Sequence, residues 1–494
     1  MTSYAPSIDI KTDQVERTIE RCKERNIIIP TFAQQKDPSL IPAGITKELK
    51  DIGLWDVHPR NLFRITWKND PVSGGFHGVN FLEIPQSLTG VRARIFGLVG
   101  KYFPTGAHKV GATYGCLAPR LVTGTFDPTS QKAVWPSTGN YCRGGAYVAS
   151  LLACDSVAIL PEEMSRERFD WLKQIGSEIF ATPGCESNVK EIYDKCWELK
   201  AERGDKIVIL NQFDEFGNAM WHYEITSAAI EEVLKDVMGS RDNFYAYVSA
   251  TGSAGTIGAG ERLKELYPAS KLVASEALQC PTLLRNGFGG HRIEGIGDKH
   301  VPWIHNVRNT DFVVAIDDND PMALIRLFNE EPGKELLRAK GVDADLVEQL
   351  ELLGVSSISN LLSAIKLAKR NELDERDVIF TIFTDSMEMY ESRLDEARAE
   401  SGEYKKEQAE LDWHLHLRGM KTDNMEELDH LGRMRIHNLK YYTWIEQQQK
   451  EVEELNAQWN NHKDYWPAHW KMTDKYDELI KAFNDKAGML KKYE

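Results

Sequence analysis

The chain of 494 residues carries a net charge of −15, with 42% hydrophobic and 27% charged residues. This length predicts two or three domains, and this composition is ordinary for a soluble globular protein. The negative charge argues against nucleic acid and anionic membranes as partners, because both would repel the chain. No apolar run approaches the roughly 20 residues that span a bilayer, and the N-terminus lacks the layout of a signal peptide. Seven scattered cysteines without a Cys-x-x-Cys pair indicate a reducing, cytoplasmic compartment.

The first candidate site is a lysine that follows a tight turn. Residues 1–90 are predicted to form an irregular entry segment, and an apolar strand over 92–100 leads into a Pro-Thr-Gly turn before Lys109. The small residues beside this lysine allow a helix to begin close to a bound group. Its poorly solvated amine is a candidate nucleophile, although most lysines in proteins are solvated surface charges.

A second stretch places Ser137, Thr138, Gly139 and Asn140 in front of a predicted helix of small residues. These residue types are good helix N-caps, so a capped helix end explains them without any ligand. Their hydroxyl, amide and backbone N–H groups also suit a carboxylate. Taken alone, the stretch favours the capped helix end.

Strands and helices then alternate between residues 156 and 235. This alternation is typical of a parallel α/β sheet. The predicted strands cover residues 156–160, 178–180 and 207–210, and the predicted helices cover 165–175, 188–203 and 219–235.

A third stretch, residues 249–260, is rich in glycine and joins a strand over 244–248 to a helix over 261–267. Such a turn presents backbone N–H groups and a helix dipole to a phosphate. No Gly-Lys-Ser/Thr follows, which excludes a Walker A loop, and the glycines lack the spacing of a dinucleotide-binding motif. The stretch therefore predicts a loop that binds a single phosphate group. A glycine-rich loop over 289–297 and a strand over 379–383 follow, and the polar residues after that strand occupy a typical ligand position.

The order of these motifs, over about residues 92–390, resembles the fold type II family of pyridoxal-phosphate (PLP) enzymes. That family includes cysteine synthase, cystathionine β-synthase and the tryptophan synthase β-chain. The resemblance implies two parallel-sheet α/β subdomains, with a helical C-terminal extension here, and PLP as the cofactor. It implies cofactor contacts for His108, Lys109 as the Schiff-base residue, Asn140, the phosphate loop Gly252, Ser253, Ala254, Gly255 and Thr256, and Ser386 at the pyridine nitrogen. It implies substrate contacts for Ser137, Thr138, Gly139, Asn140, Gly295, Ile296 and Gly297.

The implied reaction is β-elimination or β-replacement on a small amino acid through an aminoacrylate. Lys109 would be displaced by the substrate amine and then act as the base at Cα. A neutral Ser386 would make the ring a weaker electron sink than an aspartate would, which favours loss of a β-substituent over transamination. The aminoacrylate either accepts sulfide or a thiol, as in cysteine synthase, or hydrolyses to a keto acid and ammonia, as in deaminating or desulfurating lyases. A catalytically silent scaffold is the third interpretation.

Two departures from the family pattern leave alternatives open. His108 precedes the lysine as in the tryptophan synthase β-chain, so it either contacts the phosphate or is a buried structural histidine. Asp298-Lys299-His300 replaces the usual Ala-Gly-Phe after the Gly-Ile-Gly turn. These residues either bring charge to the substrate or lie on a solvated loop face.

The C-terminal region differs in composition and is rich in Glu, Lys, Gln and Trp. Residues 444–459 are predicted to form a long amphipathic helix, and the region is expected to wrap the core or to contact a second copy in a homodimer. His414 and His416 lack supporting ligands, so no metal site is predicted. The expected divisions are an entry segment over 1–90, a PLP-binding core over 91–393 with a smaller subdomain over about 132–225, and a helical extension over 394–494.

Overall fold

The computed structural model describes residue 4 and residues 6–137, 139–185 and 187–493. The strands in this part of the chain are β1 (Phe81–Ile84), β2 (Arg94–Val99), β3 (Lys132–Pro136), β4 (Asp155–Pro161), β5 (Glu178–Thr182), β6 (Ile207–Ile209), β7 (Asn243–Ala250), β8 (Lys271–Ala277), β9 (Phe312–Ile316), β10 (Asp377–Phe383) and β11 (Met425–Glu427).

The α-helices of the same residues are α1 (Thr12–Glu24), α2 (Phe32–Lys36), α3 (Ala43–Leu49), α4 (Gln86–Thr89), α5 (Lys109–Thr123), α6 (Asn140–Leu151), α7 (Arg166–Gln174), α8 (Val189–Arg203), α9 (Phe216–Trp221), α10 (Ser227–Val237), α11 (Ile257–Leu266), α12 (Thr282–Arg285), α13 (Asn319–Asn329), α14 (Glu331–Ala339), α15 (Ala344–Gln349), α16 (Val355–Arg370), α17 (Glu391–Ser401), α18 (Lys406–Asp412), α19 (His430–Lys440), α20 (Val452–Asn460), α21 (His462–Trp470) and α22 (Thr473–Ala487).

Across the described residues the strands form two sheets. The larger sheet has the order β1-β2-β10-β7-β8-β9-β11, and the smaller has the order β5-β4-β3-β6. Pairing is parallel throughout the smaller sheet and the interior of the larger one, whereas the edge strands β1 and β11 pair antiparallel. Parallel strands are covered on both faces, so they appear as continuous apolar runs such as Val157–Leu160. The predicted α/β class with two parallel sheets is confirmed.

The helix α5 connects the two sheets and is buried along almost its whole length. It packs against α6 and α9. A Cβ on Gly115 would lie 2.2 Å from the carbonyl oxygen of Gly217, so only glycine allows α5 and α9 to approach so closely. This close packing places the first residue of α5 between the sheets.

The two chain ends contribute more regular structure than the sequence predicts. β1 lies within residues 1–90 and β11 within residues 394–494, and each adds an edge strand to the larger sheet. The predicted long helix over 444–459 is wrong in extent, because residues 446–451 separate a helical turn at Tyr441–Ile445 from α20. Gln449 in this break has a left-handed φ of 58°, which interrupts a helix.

No single helix of the described residues is both long and apolar enough to cross a membrane, and the pair Ala344–Leu352 and Val355–Arg370 passes that test only together, with a bend of 119°.

Candidate functional site

Lys109 lies where the chain turns from β2 into α5. Thr105 and Gly106 have left-handed φ angles of 68° and 70°, which reverse the chain in front of the helix. The Lys109 Nζ donates a 3.1 Å hydrogen bond to the Oγ of Ser253, which is 144 positions later in the chain. The predicted nucleophile and the predicted phosphate loop therefore meet.

The loop that carries Ser253 joins β7 to α11, as the sequence predicts. The Ser253 Oγ also accepts a 3.0 Å bond from the Asn218 amide and a 3.3 Å bond from the Gly255 N–H. A Cβ on Gly255 would lie only 2.0 Å from the Asn218 Oδ1, so a side chain there would force the loop away from Asn218. The hydroxyl of Thr256 bonds to Ser249 at 2.6 Å and fixes the start of α11.

Ser137 and Asn140 lie between the end of β3 and the first turn of α6. The Ser137 Oγ accepts bonds from the Gly139 N–H at 3.2 Å and from the Gln212 Nε2 at 3.1 Å. Gly139 has a φ of 153°, and a Cβ there would lie 1.6 Å from the Arg168 guanidinium. Glycine is therefore required at this position. The predicted site residue Thr138 lies outside the described residues.

A buried network positions the Asn140 amide. Its Nδ2 donates a 2.6 Å bond to the Asp385 Oδ2, which also accepts a 2.8 Å bond from the Tyr390 hydroxyl. The Arg168 guanidinium donates to that hydroxyl at 3.1 Å and pairs with Glu294 at 3.1 Å. Burial raises the pKa of Asp385, while Arg168 and the donated bonds favour its ionised form. The network turns the amide carbonyl of Asn140 away from Asp385.

The Gly-Ile-Gly turn lies beside the predicted phosphate loop, since a Cβ on Gly252 would lie 2.8 Å from the Gly295 carbonyl oxygen. Gly295 and Gly297 have left-handed φ angles of 97° and 75°, and the His291 imidazole lies 2.7 Å from the Gly297 carbonyl oxygen. Asp298 follows with its side chain buried. Burial raises its pKa to about 8, and the positive charge of Lys109 opposes this rise.

The three residues after the turn have different environments. Asp298 and His300 are buried, whereas Lys299 is exposed. The His300 imidazole lies 3.0 Å from the Tyr193 hydroxyl, and burial lowers its pKa to about 3. Of these three residues, only Lys299 therefore lies on a solvated face of the loop.

His108 is buried, and its ring packs against Trp67 and His222 with centroids 5.6 and 5.0 Å apart. Burial, followed by the charge of Lys109, lowers its pKa well below 6.5, so the imidazole is neutral. Ser386 follows β10 and is fully buried. Neither predicted role is tested by these contacts.

Most of the predicted site residues line one internal cavity. Those that line it are His108, Lys109, Ser137, Asn140, Gly252, Ser253, Ala254, Thr256 and Gly295. The predicted residues Gly139, Gly255, Ile296, Gly297 and Ser386 are not among the residues that line it. Among the described residues, no group of three or more His, Cys, Asp or Glu side chains could hold a metal ion.

Several buried polar atoms around this cavity have no hydrogen-bond partner among the described residues. They are His108 Nδ1, Asn140 Oδ1, Asn218 Oδ1, Asp298 Oδ2, Asn360 Oδ1 and Ser386 Oγ. Folded proteins pair nearly all of their buried polar atoms, so such a concentration at one place indicates a site built for a polar ligand. These atoms belong to several different helices and loops, as expected for a ligand that joins them.

Three residues of this site were not singled out by the sequence analysis. Gln212 lines the cavity, Asn218 holds Ser253, and Asp385 holds Asn140. Gln212 and Asn218 follow the predicted strand over 207–210, so polar residues at the carboxyl end of a parallel strand were an available signal. Asp385 stands 245 positions from Asn140, and no local pattern indicates that they pair.

Comparisons with known proteins agree with this geometry. The family described as "Pyridoxal-phosphate dependent enzyme" matches residues 90–385. Cystathionine beta-synthase of Saccharomyces cerevisiae is 27% identical over 316 residues, which cover 62% of this chain and 59% of that protein. A probable cysteine synthase of Bacillus subtilis is 28% identical over 299 residues, which cover 60% of this chain and 88% of that protein.

A hydrogen sulfide-producing enzyme of Fusobacterium nucleatum has a similar solved structure, with a TM-score of 0.54 at 24% identity. The match covers 67% of this chain and 92% of that structure. At this identity the likeness supports the fold alone. The family match over residues 90–385 includes the strands β2 to β10, Lys109 and all three predicted loops.

Proposed function

We propose that this chain, which belongs to the family of pyridoxal-phosphate dependent enzymes, catalyses β-elimination or β-replacement on a small amino acid. One observation carries the proposal. The amine of Lys109 lies 3.1 Å from Ser253 in the phosphate-type loop, and Ser137 and Asn140 line the same cavity. A base, a phosphate loop and a carboxylate cradle around one cavity are the groups that such a reaction needs.

The residues of the cavity fit the cofactor. Backbone N–H groups of residues 252–256 precede α11, so they and the helix dipole suit a phosphate. The Ser386 Oγ, which has no partner among the described residues, suits a ring nitrogen, and the Asn140 Oδ1, which has none there either, suits a ring hydroxyl. PLP, when bound, supplies an electron-withdrawing ring that stabilises negative charge at the substrate Cα.

The chain's own residues would handle the protons and the substrate. Lys109 would remove the proton from Cα, because its Nζ is held inside the cavity by Ser253. The Ser137 hydroxyl, the Gln212 Nε2–H and the second Nδ2–H of Asn140 would donate charge-assisted hydrogen bonds to the substrate carboxylate. Gln212 already donates to Ser137 at 3.1 Å, so the two side chains are aligned before substrate arrives.

The partner expected for the ring nitrogen favours loss of a β-substituent. Ser386 is neutral and buried, so it would not keep a ring nitrogen protonated as a carboxylate would. A ring whose nitrogen is unprotonated withdraws less negative charge from the substrate Cα. The β-substituent then leaves before that charge can be held, and transamination, which needs it to be held, is disfavoured. The names of the relatives, cysteine synthase and cystathionine beta-synthase, point the same way.

The substrates are proposed to be small β-substituted amino acids, with sulfide or a thiol as the second reactant. The purified protein, supplied with PLP, is titrated with O-acetylserine, serine, cysteine, threonine, diaminopropionate and cysteate, each with and without sulfide. The expected result is a shift of the visible absorbance by one of them and a new β-substituted amino acid when sulfide is present.

Two other results of that titration separate the alternatives. Keto acid and ammonia that accumulate equally with and without sulfide would identify a deaminating or desulfurating lyase. A protein that stays colourless with PLP would contradict the proposal and would support a silent scaffold.

The setting of the enzyme is also a proposal. All seven cysteines are free thiols, which supports a reducing cytoplasm as its compartment. Two further expectations stay predictions. One is the division of the chain into domains at about residues 90 and 393, with a smaller subdomain over about 132–225, and the other is the homodimer.

A further inference from the structure

Asp298 brings a carboxyl group into the cavity that Lys109 lines. Its side chain is 4% exposed and lines that cavity. The backbone carbonyl of Asp298 accepts a 2.6 Å bond from the Thr282 hydroxyl, which fixes the residue after the Gly-Ile-Gly turn. Its Oδ2 is buried without a hydrogen-bond partner among the described residues. A buried carboxyl oxygen left unpaired beside a reactive lysine indicates a role toward the bound substrate.

The surroundings of Asp298 favour its protonated form. Lys109 is the cation that acts on it, while Tyr193 and Cys280 face it as neutral groups whose pKa values its charge would raise further. His300, two residues on, is neutral because burial lowers its pKa. Since burial raises its pKa to about 8, Asp298 is mostly protonated at pH 7. A neutral carboxylic acid donates a hydrogen bond and can release a proton.

We propose that Asp298 is the proton donor to the leaving group when the bond from the substrate Cβ breaks. This inference rests on the proposed function and adds the class of substrate. That class comprises amino acids whose β-substituent leaves as a base much stronger than chloride, such as hydroxide or hydrosulfide, so that its departure is helped by a proton.

The protons and electrons of this step balance. The leaving oxygen or sulfur keeps both electrons of its bond to Cβ and takes the carboxylic proton of Asp298, so serine releases water and cysteine releases hydrogen sulfide. Lys109 has taken the proton from Cα, so each elimination leaves Lys109 one proton richer and Asp298 one poorer. Transfer of a proton from the Lys109 ammonium to the Asp298 carboxylate restores both groups.

The test compares leaving groups that differ in their need for a proton. Wild-type holoenzyme, Asp298→Asn and the control Lys299→Gln are assayed with serine and cysteine, and with β-chloroalanine, whose chloride leaves unprotonated. The variant Asp298→Asn is expected to lose about 100-fold or more of kcat on serine or cysteine. Its loss on β-chloroalanine is expected to be at least about tenfold smaller. Lys299→Gln changes a neighbouring exposed charge and should match the wild type.

Two further readouts separate a proton donor from a structural residue. The wild-type kcat on serine or cysteine is expected to fall as the pH rises through about 8, and Asp298→Asn is expected to lose this dependence. The dissociation constant of PLP, measured by equilibrium dialysis, should change by less than about threefold in Asp298→Asn. The reason is that Asp298 acts on the leaving group and is assigned no contact with the cofactor.

The contradicting results are equally specific. Equal losses on all three substrates, or no loss on any, would overturn the role of Asp298 as a proton donor. Wild-type turnover of β-chloroalanine without turnover of serine or cysteine would also overturn it. A wild type that turns over none of the three would instead overturn the proposed function, and this inference with it.

Discussion

The C-terminal extension contacts the loop that carries Asp298, and Trp444 is central to this contact. The Trp444 ring is fully buried and packs against His300 and Trp303, with centroids 5.8 and 6.0 Å away. Its Nε1 donates a 2.8 Å bond to the carbonyl of Val301. Since His300 and Val301 lie two and three residues after Asp298 on the same loop, we expect Trp444→Phe to destabilise the fold and to loosen the substrate side of the cavity.

The size of the effect follows from these contacts. Phenylalanine keeps an aromatic ring but removes the indole N–H, which leaves the buried Val301 carbonyl without that donor at a cost of about 2 kcal/mol. The smaller ring also leaves unfilled space, which adds roughly 1 kcal/mol. We therefore expect the free energy of unfolding to fall by about 3 kcal/mol.

The assay is urea unfolding of the wild type, Trp444→Phe and the control Trp197→Phe. Trp197 is 41% exposed, and its Nε1 bonds to Gln448 at the surface, so its replacement should cost less than about 0.5 kcal/mol. Trp444→Phe should also raise KM for the amino acid while the affinity for PLP stays unchanged. Equal destabilisation by the two variants would refute the reasoning that the extension holds this loop.

Three further outcomes are expected. Lys109→Ala should lose the visible absorbance of the bound cofactor and about 10³-fold or more of turnover, because the base is gone, and a coloured, fully active variant would contradict this. Gly255→Asp should weaken the affinity for PLP about tenfold or more in equilibrium dialysis, since it adds charge and volume to a loop with no space for a Cβ. The control is Gly78→Asp, because a Cβ on Gly78 would face open space. Equal affinities of the two variants for PLP would mean that the phosphate binds elsewhere. Burial raises the pKa of Glu276 to about 8, so its contribution to stability is present at pH 4.5 and is lost as the pH rises through 8. The free energy of unfolding in urea is therefore expected to fall by about 3 kcal/mol more for the wild type than for Glu276→Gln between pH 5 and pH 8. An equal change with pH in the two proteins would contradict this.

The alternating core of the chain follows from local sequence. The predicted strand over 156–160 and helix over 188–203 agree with Asp155–Pro161 and Val189–Arg203 to within one residue at each end. Here the apolar runs, the turns and the helix periods all indicate the same elements. The strands β1 and β11 carry no such signal, because they have four and three residues and form through pairing with partners elsewhere in the chain.

The candidate site is predictable in its motifs but not in its internal bonds. Lys109 and Ser253 each belong to a stretch that local composition singles out, and the resemblance puts them in one site. The bond from Asn140 to Asp385 joins two such stretches through a carboxylate that the sequence analysis left without a role. Asp298 has a recognisable charge in the sequence, but its burial becomes visible only in the folded chain.

The most direct test of the central claim identifies the lysine that binds the cofactor. The holoenzyme is reduced with borohydride, which fixes a bound pyridoxyl group to its lysine, and is then digested and analysed by mass spectrometry. The account predicts the added mass on the peptide that contains Lys109. Added mass on a different lysine, or on none in a protein saturated with PLP, would contradict it.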